Sequence, residues 1–114
     1  MNDMKYVKYE QLVDIDIRVG AILSAETFEK AIKPAYKLVI DFGEEIGELK
    51  SSAQITEQYR VNDLINKQVV AVINFPKRQI ANFMSECLVL GIYHERGVVL
   101  LRPDKQCMNG EKVG

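Results

Sequence analysis

Residues 35–75 read AYKLVIDFGEEIGELKSSAQITEQYRVNDLINKQVVAVINF, and the order of patterns within them decides the fold. Over Ala35–Phe42, the residues Tyr36, Leu38, Ile40 and Phe42 alternate with positions that include Lys37 and Asp41. That period of two predicts a strand with one apolar face. Gly43–Gly47 predicts a turn, and Leu49–Ile55 returns as another strand. From Thr56 to Asn66 the spacing of Tyr59, Val61, Leu64 and Ile65 becomes that of a short helical piece. Gln68–Phe75 is an almost continuous apolar run, which predicts a strand buried on both faces. Pro76 stops it, because proline has no N–H for the ladder.

Upstream, Ile17, Val19, Ala21 and Leu23 alternate with Arg18, Gly20, Ile22 and Ser24 in a long first strand. Gly20 within it predicts a sharp bend or bulge. Lys5–Val13 predicts a short helix before that strand. Downstream, a loop of about ten residues reaches Ser85. Cys87–Tyr93 and Val98–Leu101 then read as two strands around a tip at Glu95-Arg96-Gly97. Pro103 ends the last one, and Asn109-Gly110 marks a late turn. Five or six short strands, one helical segment between the third and fourth, and no strand–helix–strand rhythm predict an all-β class and a small barrel. At 114 residues, the chain is expected to form one domain over 1–114 with an ordinary core.

Composition narrows the function. The apolar share of 47% and the charged share of 27% exclude a disordered chain. No apolar run approaches the ~18 residues of a membrane span, so no membrane insertion is expected. The opening Met1-Asn2-Asp3-Met4-Lys5 lacks an apolar signal core and predicts a cytoplasmic address. Cys87 and Cys107 form no C-x-x-C pair, and Cys87 lies in an apolar run as a small buried hydrophobe. A net charge of −1 argues against strong generic attraction to phosphate. The charge is nevertheless polarised. Asp41, Glu44, Glu45 and Glu48 give a local −4, whereas Arg60, Lys67, Lys77 and Arg78 outweigh Asp63 by three over 60–82.

Catalytic constellations are missing. The single histidine, His94, falls at a hairpin tip beside Glu95 and Arg96, where it reads as solvated. Neither a phosphate-cradling glycine pattern nor the ligand alternation of a calcium loop is present, so no catalytic residue, metal or cofactor is expected. What remains is a binding constellation after the fourth strand. Lys77 and Arg78 supply charge, Phe75 or Phe83 supplies a ring, and Asn74 and Ser85 supply hydrogen bonds. A single-strand binder needs these three ingredients. The same residues also fit a structural role, with the polar groups satisfying loop backbone and both rings in the core.

At these residues the chain resembles a known family. Asp16-Ile17-Arg18-Val19-Gly20, Lys37-Leu38, Asn74 and Ser85 look like the tRNA-binding domain found beside several aminoacyl-tRNA synthetases. Leu38–Gly43, Ser51–Thr56, Leu64–Val69, Asn74-Phe75-Pro76, Arg78, Ile80-Ala81, Ser85-Glu86, Pro103-Asp104 and Asn109-Gly110 are similar to its CsaA branch. The resemblance implies a five-stranded OB-fold β-barrel with short helical segments, forming a homodimer to which terminal segments contribute. It implies a chaperone that keeps exported preproteins unfolded together with the secretion machinery, and it also implies tRNA binding. Lys37, Asn74, Arg78 and Ser85 carry over to the ligand face, with Ser51, Ser52 and Gln54 near them. The chain departs from the broader family at Glu86-Cys87-Leu88, where x-Gly-Met is usual, and at Asn82, where a glycine is usual. Glu86 and the small number of basic residues argue against tight RNA affinity. The leading expectation is a peptide-binding export chaperone without catalysis. The alternative is a tRNA-binding module that reads tRNA shape or single-stranded loops.

Overall fold

The alternation in β2 (Tyr36–Asp41) translates directly into burial: Tyr36, Leu38 and Ile40 face inward and Lys37, Val39 and Asp41 lie half-exposed on the other side. In the computed structural model, which describes residues 3–114, β2 is sandwiched between β1 (Ile17–Thr27) and β3 (Glu48–Ala53). Met1 and Asn2, part of the polar opening, lie outside the described residues. β1 also pairs with β4 (Gln68–Val72), which pairs with β7 (Leu88–Val89), and every ladder is antiparallel. Two short hairpins complete the strands: β5 (Arg78–Ile80) with β6 (Phe83–Ser85), and β8 (Gly91–Ile92) with β9 (Val99–Leu100).

The sheet order β3-β2-β1-β4-β7 curls until its ends meet. Ser51 Oγ donates to the Cys87 carbonyl at 2.9 Å, and the Glu86 N–H donates to the Lys50 carbonyl at 2.7 Å. A nearly closed, five-stranded, OB-like barrel results. Ile22, Leu38, Ile40, Phe42, Leu64 and Val69 fill it. Leu64 comes from α3 (Val61–Leu64), the helical piece expected between the third and fourth strands. β4 is buried on both faces as expected, with Gln68, Val69, Ala71 and Val72 all inaccessible.

Several expectations need correcting. The phase of β1 is the reverse of a simple reading: Gly20 and Ile22 point into the barrel, while Leu23 is exposed. Val19 is buried from outside by the C-terminal segment, since Gly110 N–H donates to its carbonyl at 2.7 Å and its own N–H donates to Glu111 O at 2.9 Å. The bulge falls between Ile22 and Ser24, not at Gly20. Gly20 instead lets Ile40 and Phe42 approach the backbone, where an added Cβ would lie 2.7 Å from each side chain. β4 ends at Val72 rather than Phe75, and the expected ten-residue loop holds the β5–β6 hairpin. In that hairpin turn Ala81 takes a positive φ of 50°. The span Cys87–Tyr93 breaks into β7 and β8. The N-terminal helix shortens to α1 (Tyr9–Val13), and the 43–47 turn contains a one-turn helix, α2 (Gly43–Ile46). Both cysteines are free.

Candidate functional site

With Leu38, Ile40, Ser51 and Ala53 turned inward, period two leaves Lys37, Lys50 and Ser52 on the outer face of β2 and β3. Lys37 is registered opposite Ser52 on one side and Glu26 on the other, and its Nζ lies 3.0 Å from the Glu26 carboxylate. The β5–β6 hairpin belongs to the connection from β4 to β7 and leans on the same face. Ser85 Oγ accepts the Ser52 N–H at 3.1 Å. Phe83 meets Phe28, from the connection between β1 and β2, edge to face at 5.5 Å and 63°. Lys37 Nζ stands 5.5 Å from the Phe28 centroid and 5.9 Å from that of Phe83, and Lys50 Nζ stands 5.3 Å from Phe83.

Glu86 ties the hairpin to β3. Its carboxylate accepts the Lys50 N–H at 3.0 Å and pairs with Lys77 Nζ at 3.3 Å. Burial pushes its pKa up, but the Lys50 N–H and the Lys77 ammonium outweigh burial and leave it below the ordinary value. The same strands carry opposite charge at their other end, where Asp41 is registered with Glu48. Four residues of β2 separate Lys37 from Asp41, roughly 13 Å, and two residues of β3 separate Lys50 from Glu48, roughly 7 Å. This polarity aims an anion at the lysine end. Paired ammonium groups, hydroxyls and a ring cluster can hold an anionic, partly aromatic ligand. In OB barrels, oligonucleotides bind to this face of the second and third strands with its flanking loops.

Lys37, Ser52, Phe83 and Ser85, all anticipated from the sequence, come together here, and Lys77 joins through Glu86. Arg78 is exposed and opposite Ser85 in the hairpin. Four other anticipated residues lie elsewhere or are engaged differently. Ser51 is buried inside the barrel seam. The Asn74 amide is taken up by the chain before β1, accepting the Asp16 N–H at 2.9 Å and donating to Asp14 O at 2.8 Å. Phe75, like Gln54, is exposed, and neither takes part in the ring and lysine cluster. Lys50 and Phe28 were missed. The available signal for Lys50 was its two-residue offset from Ser52 on a strand already read as alternating.

Outside this face, Asp16 and Arg18 form an ion pair at 2.6 Å, and Arg18 Nη1 donates to Gly110 O at 2.9 Å. The hydrogen bond from Arg18 holds the Asp16 pKa below its usual value. Burial pushes the Cys87 thiol up to about 12, which makes it inert at neutral pH. No helix among the described residues is long and apolar enough to cross a membrane.

Residues 17–112 match the sequence family described as "Putative tRNA binding domain". The chain belongs to this tRNA-binding-domain family. Its structure is similar to that of a CsaA chaperone from Picrophilus torridus, with a TM-score of 0.92 and 52% identity, over 96% of this chain and 100% of that one. A CsaA chaperone from Bacillus anthracis superposes with a TM-score of 0.90 and 45% identity, again over 96% and 100%. Among curated proteins, the methionine–tRNA ligase of Pyrococcus horikoshii is 32% identical over 111 residues, or 97% of this chain. The chain spans only 15% of that ligase, so the similarity concerns one segment of it. These likenesses make the chain a CsaA-type member of the family.

Proposed function

We propose that the chain acts as a CsaA-type protein-export chaperone: a cytoplasmic, non-catalytic homodimer of single-domain subunits that binds unfolded preprotein segments and cooperates with the secretion machinery. The observation that carries this reading is the likeness to two CsaA chaperones over their entire lengths. The N-terminal stretch adds physical support. Tyr6 and Tyr9 are 87% and 75% exposed, Val7, Leu12 and Val13 are exposed beside them, and α1 buries no residue. A cluster of exposed apolar side chains of this kind favours contact with a second copy and with apolar polypeptide near that contact. The test is the aggregation of a denatured preprotein with and without a near-stoichiometric amount of dimer, after sedimentation has measured the assembly state. Suppressed aggregation supports the proposal. An unchanged aggregation curve, or a monomer at all concentrations, refutes it.

A second ligand, tRNA, is favoured by the cationic outer face of β2 and β3. Lys37, Lys50, Lys77 and Arg78 offer four phosphate contacts, two of them already paired with Glu26 and Glu86. Affinity should therefore be modest, with a log–log salt slope no steeper than about −3 to −4. Titration of deacylated tRNA over a salt series tests this, and Arg78→Ala should weaken binding. Absence of saturable binding at low salt removes tRNA as a ligand.

A further inference from the structure

A phenyl ring near a basic track invites the view that bases stack on it, but the Phe83 ring is already occupied. Lys37 and Lys50 both reach it, at 5.9 and 5.3 Å from the centroid, and Phe28 packs edge-to-face against it at 5.5 Å. An ammonium within about 6 Å of a ring centroid is attracted by the negative face of the ring. A base stacking there would compete with these contacts. The ring itself is held in place: it is half-buried, and its residue closes the β5–β6 hairpin opposite Ile80. The two lysines differ in their other partners. Lys37 has the Glu26 carboxylate, whereas Lys50 has no carboxylate within ion-pair distance among the described residues.

We propose that Phe83 is a positioning residue, and that the two ammonium groups it holds form a phosphate-binding site that grips nucleic-acid backbone and does not read bases. This rests on the tRNA reading for its natural ligand, and it names the part of that ligand the site recognises. The physical gain is preorganisation. A free lysine side chain loses much rotamer freedom when it engages a phosphate, and a lysine already laid over a ring has given up part of it beforehand. Lys50 offers an unpaired charge, and an incoming phosphate replaces Glu26 as the partner of Lys37. Recognition is therefore independent of sequence.

The experiment titrates two probes, deacylated tRNA and inorganic polyphosphate, which carries phosphates without bases. Both are measured over a salt series against the full chain and its Phe83→Leu, Phe83→Tyr and Lys50→Gln variants. Phe83→Leu should weaken both probes about 3- to 10-fold, and Phe83→Tyr should restore them. Lys50→Gln should make the tRNA salt slope shallower by about 0.7–0.9. Phe83→Leu added to Lys50→Gln should cost less than it does alone. The ε-methylene protons of Lys50 should show a ring-current shift that Phe83→Leu abolishes and Phe83→Tyr keeps. If Phe83→Leu weakens tRNA but leaves polyphosphate unchanged, the ring stacks on bases and the proposal fails. Polyphosphate binding with the expected variant pattern, in the absence of tRNA binding, supports the phosphate site and removes only the tRNA reading. If neither probe binds, both readings fall. Should Phe83→Leu not fold, an unchanged polyphosphate affinity in Lys50→Gln overturns the proposal by itself.

Discussion

Replacing Gly20 with alanine places a methyl carbon 2.7 Å from Ile40 Cγ2 and 2.7–2.8 Å from two ring carbons of Phe42. Both neighbours are fully buried, so neither can swing toward solvent to make room. Overpacking of this kind costs about 1–3 kcal/mol. Alanine recovers roughly 0.5–1 kcal/mol of the backbone entropy that glycine loses in a strand, which leaves a net destabilisation of about 0–2.5 kcal/mol, centred near 1.3 kcal/mol. Urea unfolding at fixed protein concentration measures it. With a slope of about 1–2 kcal/mol/M, the midpoint should fall by about 1 M. Trimming the obstructing ring should relieve the clash, so the Gly20→Ala/Phe42→Leu double variant should be less destabilised than the sum of the singles. Gly47→Ala is the contrasting case. Gly47 sits at φ +82° with no atom within 4 Å of an added Cβ, so its cost comes from backbone strain and is independent of Phe42. A midpoint for Gly20→Ala within about 0.3 M of wild type, or an additive cycle with Phe42→Leu, would refute the close-packing account.

A thiol reagent at pH 8 should modify Cys107 in the native protein and spare Cys87, whose thiol is buried and raised to about 12; equal labelling rates would contradict this. Gln68→Leu should destabilise the chain by about 1–3 kcal/mol and speed hydrogen exchange at Cys107. The buried Gln68 amide accepts the Cys107 N–H and donates to the carbonyl of Cys107 and the side chain of Asn109. Asp16 has a depressed pKa, mainly through its hydrogen bond from Arg18, so its contribution is complete above the ordinary carboxylate pKa and is lost as pH falls through the folded-state value. Urea midpoints should therefore drop below about pH 4, and Asp16→Asn should flatten that acid limb. Glu86 has the same sign, because its contacts with the Lys50 N–H and Lys77 outweigh its burial, and Glu86→Gln should flatten the limb independently.

The barrel was legible where one face of a strand meets the core and the other meets solvent. β2 is the clearest case, because every second residue from Tyr36 to Phe42 is apolar and buried. β1 defeated the same logic. Ile17 and Val19 are apolar because the C-terminal segment covers them from outside, with Val113 N–H donating to Ile17 O at 2.8 Å. Alternation reports that a face is covered without reporting what covers it. The β5–β6 hairpin was missed because each arm has only three residues, too few for a period to register, and its turn places a positive φ on alanine.

The resemblance identified the family from motifs whose roles are largely architectural. The Asp16–Gly20 stretch fastens the C-terminal segment through Arg18 and makes room for Phe42 through Gly20. Asn74 looked like a ligand-reading amide, yet both ends of its amide grip the backbone before β1. The candidate binding face was only half visible, because Phe28, Lys37, Lys50 and Phe83 lie on four separate elements. No local spacing links them. Only barrel closure brings them together.

That dependence can be followed through two adjacent serines. Ser51 turns inward and donates to Cys87 O, fastening β3 to the chain entering β7. Ser52 turns outward, and its N–H donates to Ser85 Oγ, seating the hairpin that carries Phe83. A slip of one residue in β3 would exchange the two, exposing the seam and burying the hairpin contact. The register of β3 is set by core residues, with Ser51 opposite Leu38 and Ala53 opposite Tyr36. The same register sets where Lys50 stands beneath Phe83. The precision of the outward-facing lysine pair therefore derives from apolar packing on the opposite side of the strand. Substitutions in that buried face should weaken anion binding in proportion to the register they disturb, even though none of those side chains can touch a ligand.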